Sequence, residues 1–331
     1  MEPRVRIRKE GTTKMSKHSM ICAGIDTSKR KLDVAVDGSS KQLQVGNDGA
    51  GHRTLSGWLR QRRVKRVGIE ASGGYEQEVV MQLRHDGFTV VVFQPAQVRA
   101  YAKFHLQRAK NDKLDAALIA TCTTAAKKIH PTPDSRLAAF AQRLTAIDQL
   151  KDQVVRLKTY HESCRDPQLQ RFWSEEIARL EGLSSQQLKQ LIASIREHRD
   201  LTERLALITS VDSIGLPTAV AILVRLPEIG RISREQATAL AGLAPYDDDT
   251  GDQAGVRHID GGRARLRKAL FNATLSGAFR WNRQLMAINR RMTAAGKPHK
   301  VMRIACARKL LIFANTVVAR GTPWTERPIA A

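Results

Sequence analysis

The strongest constraint on the fold lies between Ile21 and Phe93, where short apolar runs alternate with turn residues and helical stretches. ICAGID, LDVAV and QLQV read as three strands; a helical stretch with Leu55, Trp58 and Leu59 follows, then RVGIE, a second helix and FTVVVF. Strands this short cannot bury their apolar faces alone, so they are expected to pair into one mixed α/β domain. A further helix is expected from about Asp112 to Lys127. Beyond Asp134 the pattern changes. Leu144, Ile147, Leu150, Val154 and Leu157 recur at helical spacing with dense charge between them, and Asp166-Pro167 interrupts the run. Two long helices forming a hairpin or coiled coil are expected there. A third, mostly helical region opens at about Leu207 with ITSVDSIGLPTAVAILVRL.

These readings divide the 331 residues into a basic, disordered extension (1–20), an α/β domain (21–130), a helical coiled-coil linker (134–206) and a helical C-terminal domain (207–325). The extension carries Arg4, Arg6, Arg8, Lys9 and Lys14 and lacks the apolar core of a signal peptide, and Met15 and Met20 are alternative starts. No apolar run approaches membrane-spanning length, so no membrane partner is expected. Cys22, Cys122, Cys164 and Cys306 lie far apart without zinc spacing, which fits reduced thiols in a cytoplasmic protein rather than a disulfide framework.

Charge narrows the partner. Against 32 Asp+Glu stand 55 Lys+Arg, a formal net charge of +23, so a polyanion is expected, bound by displacing counterions from phosphates. The excess concentrates in residues 257–309, where fourteen Lys and Arg face a single acid, Asp260. Arg257, Arg263, Arg265, Arg267, Lys268, Lys297, Lys300, Arg308 and Lys309 are the candidate nucleic-acid contacts, because such an imbalance repels itself without an anionic partner. Gly261-Gly262 before RARLRKALFNATL suggests an amide-rich helix start that can seat a phosphate. The SVDSIG turn suggests a helix-hairpin-helix phosphate grip, but Ser213 replaces a usual glycine and Asp212 repels phosphate, so a purely structural turn is equally open.

Four acids carry the chemistry. Asp26 ends the first strand in GIDTSK and Glu70 ends a later one in GIEASGGYE, while Asp112 and Asp115 in KNDKLDA lie three apart on one helical face. Taken singly, each reads as a turn, strand-end or helix-start residue. Brought together they repel, and a hard divalent cation relieves that repulsion. The order β-β-β-α-β-α-β followed by a helix is the RNase H-like order, in which carboxylates at strand ends converge.

GIDTSKRKLDVAV, GIEASGGYE and KNDKLDA, at these separations, resemble the N-terminal half of the insertion sequence 110 transposases, a family that includes the Piv-type DNA invertases. GLAPYDDDTG, GGRARLRKALFNATL and GKPHKVMRIACARKLLIFANTVVARGTPW resemble the family's C-terminal domain, so the likeness spans nearly all of residues 21–324. It implies an RNase H-like (RuvC-like) catalytic domain. In it Asp26, Glu70, Asp112 and Asp115 form an Asp-Glu-Asp-Asp site for Mg²⁺, two ions in number, with Mn²⁺ able to substitute. It also implies a hydroxyl nucleophile after GLAP. Where the family carries a serine-glycine pair this chain has Thr250-Gly251, so Thr250 takes that role with a methyl group crowding its approach to phosphorus. Tyr246 is the competing hydroxyl, or an aromatic packed beside Pro245.

By the same resemblance the activity is DNA transposition or site-specific inversion through a covalent protein–DNA intermediate. Its setting is a homodimer or homotetramer at the bacterial nucleoid, guided by a non-coding bridge RNA. Three other readings keep some of these residues: a junction nuclease using the same acids and water, an inactive nucleic-acid-binding derivative, and an actin-like sugar kinase suggested by GIDTSK alone.

Overall fold

The structure, a computed structural model, describes residues 20–105, 112–126, 134–246, 257–276 and 282–325. By its internal contacts the chain divides at Pro131 into two compact units.

The first unit is built on β1 (Cys22–Thr27), β2 (Lys31–Val36), β3 (Gln42–Gly46), β4 (Arg66–Glu70) and β5 (Thr89–Phe93), in the sheet order β3-β2-β1-β4-β5. β2 is antiparallel to both β1 and β3, whereas β1, β4 and β5 run parallel. Parallel neighbours need crossovers, and α1 (Gly49–Gln61) and α2 (Gln77–His85) supply them. The Asp48 carboxylate caps α1 by accepting from the amides of Ala50 and Gly51. Ile25, Leu32, Val34, Val67 and Ile69 point from the sheet into one core with Leu55, Leu59, Val79 and Leu83 of these helices. Through β5 the expected element order is therefore the observed one.

The opposite sheet face is covered by α4 (Asp112–Ala125), the helix expected from Asp112 to Lys127. Two glycines let it lie close. A Cβ at Gly24 would overlap the Ala116 carbonyl and the Ala120 amide, and one at Gly68 would overlap the Thr123 hydroxyl. Beside α4 packs α3 (Pro95–Phe104), which the sequence reading did not anticipate. Its signals are nonetheless local: Pro95 in the first turn and a capping box between Gln94 and Gln97.

The second unit starts with α5 (Ser135–Ser163) and α6 (Pro167–Arg196), separated where the Asp166-Pro167 break was read. Asp166 caps α6 and Pro167 occupies its first turn. The helices pair antiparallel, joined by Lys158–Glu181 at 2.8 Å and by Arg143 to the Ser194 hydroxyl at 3.0 Å. What the structure shows of the expected coiled coil is this hairpin, and its inner half is core rather than stalk. Leu137, Phe140, Leu144 and Ile147 of α5 share one cluster with residues of α7 (Arg199–Thr209), α8 (Leu216–Arg225), α9 (Arg234–Leu240), α10 (Ala264–Ser276), α11 (Arg283–Ala294) and α12 (His299–Arg320). A two-stranded ribbon, β6 (Pro245–Tyr246) with β7 (His258–Ile259), lies before α10. Among the described residues no helix is long and apolar enough to cross a membrane.

The contact of α4 with Gly24 is backbone against backbone, so no rotamer change relieves an added methyl group. Gly24→Ala is expected to lower the unfolding free energy by about 3 kcal/mol, read as a fall in the urea midpoint at unchanged slope. An unchanged midpoint would mean that α4 does not sit against β1.

Candidate active site

The two strand-end acids are brought together by register. β1 and β4 pair in parallel with Gly24 opposite Gly68 and Ile25 opposite Ile69, so Asp26 and Glu70 stand at neighbouring positions on the same sheet edge. Strand alternation puts each on the face of the glycine two residues earlier, which is the face α4 covers. Helix α4 runs antiparallel to these strands. Its C-terminal end meets their start, where the Arg66 guanidinium donates to the Ala126 carbonyl at 3.1 Å, and Ala116 lies over Gly24. Asp115 is the residue before Ala116, in the first turn of α4. Asp26 and Asp115 are half-buried, as is Glu70, and all three are engaged in interactions within the chain. Asp112 begins α4, and its side chain lies outside the described ones. Among the described residues no three His, Cys, Asp or Glu side chains are grouped so as to hold a metal ion.

Sequence reading missed a second set of polar residues around this edge. Asp33 is the cross-strand partner of Asp26 and is buried. It accepts from the Gln44 amide at 2.6 Å and pairs with Lys31 at 3.0 Å. It lines a cavity of about 260 Å³ with Gln42, Gln44 and Ala116. Its signal was present in KLDVAV, where Leu32, Val34 and Val36 alternate with an acid that must face inward. Asn47 ties three segments together: its Nδ2 donates to the carbonyls of Ser28 at 2.9 Å and Tyr75 at 3.0 Å, and its backbone N–H donates to the Arg30 carbonyl at 3.0 Å. Because Nδ2 is the donor, Oδ1 accepts, and buried His52 donates to it from Nε2 at 2.8 Å. No spacing in the sequence announces this pair.

Glu76 holds the loop after Glu70. Its Oε2 accepts from the Ser72 amide and hydroxyl, each at 3.0 Å, and from the Gly74 amide at 2.9 Å. Burial alone would raise this carboxyl, but backbone amides at Glu76, Ser72 and Gly74, joined by the Ser72 hydroxyl, outweigh it and hold the group below its ordinary value. His52 is also depressed. Burial disfavours the imidazolium more than the nearby Glu78 and Asp48 favour it, so the ring is neutral and carries its proton on Nε2.

The basic candidates fall into two classes. Arg263 forms a two-pronged pair with Glu228, both bonds at 2.7 Å. Arg265 approaches Asp148 at 3.4 Å and Asp152 at 3.9 Å, and Lys268 pairs with Asp152 at 2.7 Å. Arg267 donates to the Gly261 and Gly242 carbonyls. Arg265 and Lys268 thus hold α10 to α5, Arg267 holds it to its own entry turn, and Arg263 ties that turn to the segment after α8. Of Gly261-Gly262, the expected phosphate seat, both are exposed; a Cβ at Gly262 would overlap Gly242, whereas Gly261 is open. By contrast Arg290, Arg291, Lys297 and Lys300 are exposed around the α11–α12 turn. Arg308 is half-buried on α12, Lys309 lies over the Phe313 ring at 5.2 Å, and Arg257 is exposed beside β7. The hairpin turn after α7 holds Ser213 at φ 79°, and the Asp212 carbonyl accepts from Asn282 at 3.1 Å. Tyr246 is exposed on β6, whereas Asp247, Asp248, Asp249 and Thr250 lie outside the described residues.

Two family models match successive parts of the chain. A transposase family model of the DEDD type covers residues 23–166, and the model of the transposase IS116/IS110/IS902 family covers residues 205–290. The chain is similar to the pilin gene-inverting proteins of Moraxella bovis and Moraxella lacunata. It is 26% identical to each over 326 residues, a span of 92% of this chain and 97% of theirs. Among solved structures it is similar to Thermus thermophilus RuvC bound to a Holliday junction substrate, at 16% identity over 30% of this chain and 90% of that one, with a TM-score of 0.26. A second RuvC structure from that organism matches at 20% identity over 34% and 84%, with a TM-score of 0.22.

The His52–Asn47 bond makes a pH prediction. A depressed histidine stabilises the fold above its unfolded value, near 6.5, and that contribution is lost as pH falls through it toward the folded value. The urea midpoint should therefore drop between about pH 7 and pH 5, above the range where Glu76 titrates. His52→Gln should abolish the drop. An unchanged midpoint over that interval in the wild-type protein would show the imidazole to be solvated.

Proposed function

Because the chain belongs to the insertion sequence 110 transposase family, we propose that it is a DNA recombinase that cuts and rejoins strands at the edge carrying Asp26 and Glu70. The observation that supports this most is the register of β1 and β4, which sets Asp26 beside Glu70 on the face that α4 covers at Gly24 and Gly68. The domain is read as RNase H-like on the strand order and crossovers. Its oxygen-only donor set suits a hard divalent cation, and Asp26, Glu70, Asp112 and Asp115 are the residues that would hold Mg²⁺, or Mn²⁺ in its place. When bound, two such ions would stabilise charge on the attacking and departing oxygens of a phosphodiester.

The rest of the chemistry belongs to the chain. Thr250 is the nucleophile by its place after GLAP: its Oγ forms a bond to phosphorus as the P–O bond to the departing strand breaks, and the hydroxyl proton passes to that oxygen. Attack by the hydroxyl of an incoming strand reverses the step and frees Thr250. Asn47, His52 and Glu76 keep the loops after Asp26 and Glu70 in register. A homodimer or homotetramer would bring the carboxylates of one subunit to the Thr250 of another, and a bridge RNA would select DNA by base pairing. The Moraxella relatives are named for inverting a pilin gene, so inversion is the closest sibling of transposition for this reading.

Wild type, Asp26→Ala and Thr250→Ala, assayed on supercoiled DNA carrying the ends of the encoding element, test it. Both variants should bind DNA, and recombination should fall by at least about a thousandfold, the scale seen when one group of a catalytic unit is removed. Only Thr250→Ala should fail to leave a covalent adduct while retaining the carboxylate site. Full recombination by Thr250→Ala would move the role to Tyr246 or water.

The two classes of basic residue give a second test. Lys297→Glu with Lys300→Glu should flatten the dependence of log affinity on log salt by at least about 2. Arg263→Ala should lower stability by about 1 kcal/mol and leave that slope unchanged. The reverse pattern would place DNA on α10 instead of on the α11–α12 turn.

A further inference from the structure

The loop between β4 and α2, residues 71–76, is held from both sides. Glu76 gathers the amides of Ser72 and Gly74, and the Ala71 N–H donates to the Phe93 carbonyl at 2.9 Å. On the other side Asn47 holds the Tyr75 carbonyl with the same nitrogen that holds Ser28, two residues beyond Asp26. The backbone of Tyr75 is thus fixed beside the Asp26–Glu70 edge. Its side chain is not used by the fold: Tyr75 is 50% exposed, enters no hydrogen bond or ring contact among the described residues, and belongs to no hydrophobic cluster there.

The facing turn carries cations. Lys29 and Arg30 follow Ser28, both are exposed, and the Arg30 carbonyl accepts from the Asn47 backbone. An exposed aromatic ring on an anchored backbone, with two exposed cations on a turn tied to the same Asn47, is a combination that binds a splayed nucleotide, ring on base and cations on the adjoining phosphates. A tyrosine suits this because only two side-chain torsions must be ordered on binding. A polypeptide partner would need a wider apolar surface than one ring, and the basic pair favours a polyanion.

We propose that Tyr75, Lys29 and Arg30 form a nucleotide-binding subsite for the DNA strand being cut, with the Tyr75 ring stacked on an unpaired base next to the scissile phosphate. This rests on the reading of Asp26 and Glu70 as the cutting site for its position relative to the break, but not for the contact itself.

The test uses the full chain with DNA carrying the ends of the encoding element, substituted with 5-iododeoxyuridine and irradiated at long wavelength. Peptide mapping should place the cross-link on Tyr75 in wild type and in Asp26→Asn alike. Tyr75→Phe should retain the cross-link and DNA affinity, whereas Tyr75→Ala should lose both, affinity falling about tenfold while the thermal midpoint stays within about 2 °C. Lys29→Glu with Arg30→Glu should flatten the salt dependence. Affinity of Tyr75→Ala within about twofold of wild type, or cross-links that map elsewhere, would overturn the proposal. Normal cutting by Asp26→Asn would instead remove the carboxylate reading, and the cross-link would still decide the fate of Tyr75.

Discussion

The close contact between α4 and the sheet is what the rest of the first unit depends on. Strand pairing alone fixes Asp26 beside Glu70, because parallel register leaves no freedom once Ile25 meets Ile69. It does nothing for Asp115, which arrives on a separate segment. Only the absence of side chains at Gly24 and Gly68 lets a helix of ordinary width lie so low on the sheet, with Ile119 and Ala120 fully buried. A larger residue at either position would lift the helix off the sheet.

In the second unit charge builds the fold before it meets a ligand. Asp148 receives Arg225 at 2.6 Å and is approached by Arg265, and Asp152 takes Lys268. These contacts bind α8 and α10 to α5, across more than seventy residues of sequence. Pairs so partly exposed contribute little individually, yet together they set which cations are left for phosphate. Arg290, Arg291, Lys297 and Lys300 stay exposed around the α11–α12 turn, where Gly296 follows one helix and Pro298 precedes the next.

How much of this was legible follows from the range of each signal. Strands and crossovers announced themselves through local alternation, and Asp166-Pro167 marked the hairpin turn because capping is decided within one helical turn. Helix α3 was overlooked although its capping box was equally local. The window of fourteen cations against one acid showed the charge but not its pairing, because the acids that meet Arg263, Arg265 and Lys268, namely Asp148, Asp152 and Glu228, come from outside the window. Asp33 was readable in retrospect as an acid on an inward-facing strand position. The Asn47–His52–Tyr75 connection was not, since it joins a strand end, a helix and a loop through contacts that have no periodicity.

Under the proposed function, Asp26, Glu70 and the start of α4 serve one cation site. Anomalous diffraction from crystals of the full chain grown with Mn²⁺ and DNA tests it most directly. The account predicts density bonded jointly by Asp26, Glu70 and Asp115. Density bonded by acids elsewhere, with Asp115 turned away from the strand ends, would contradict it.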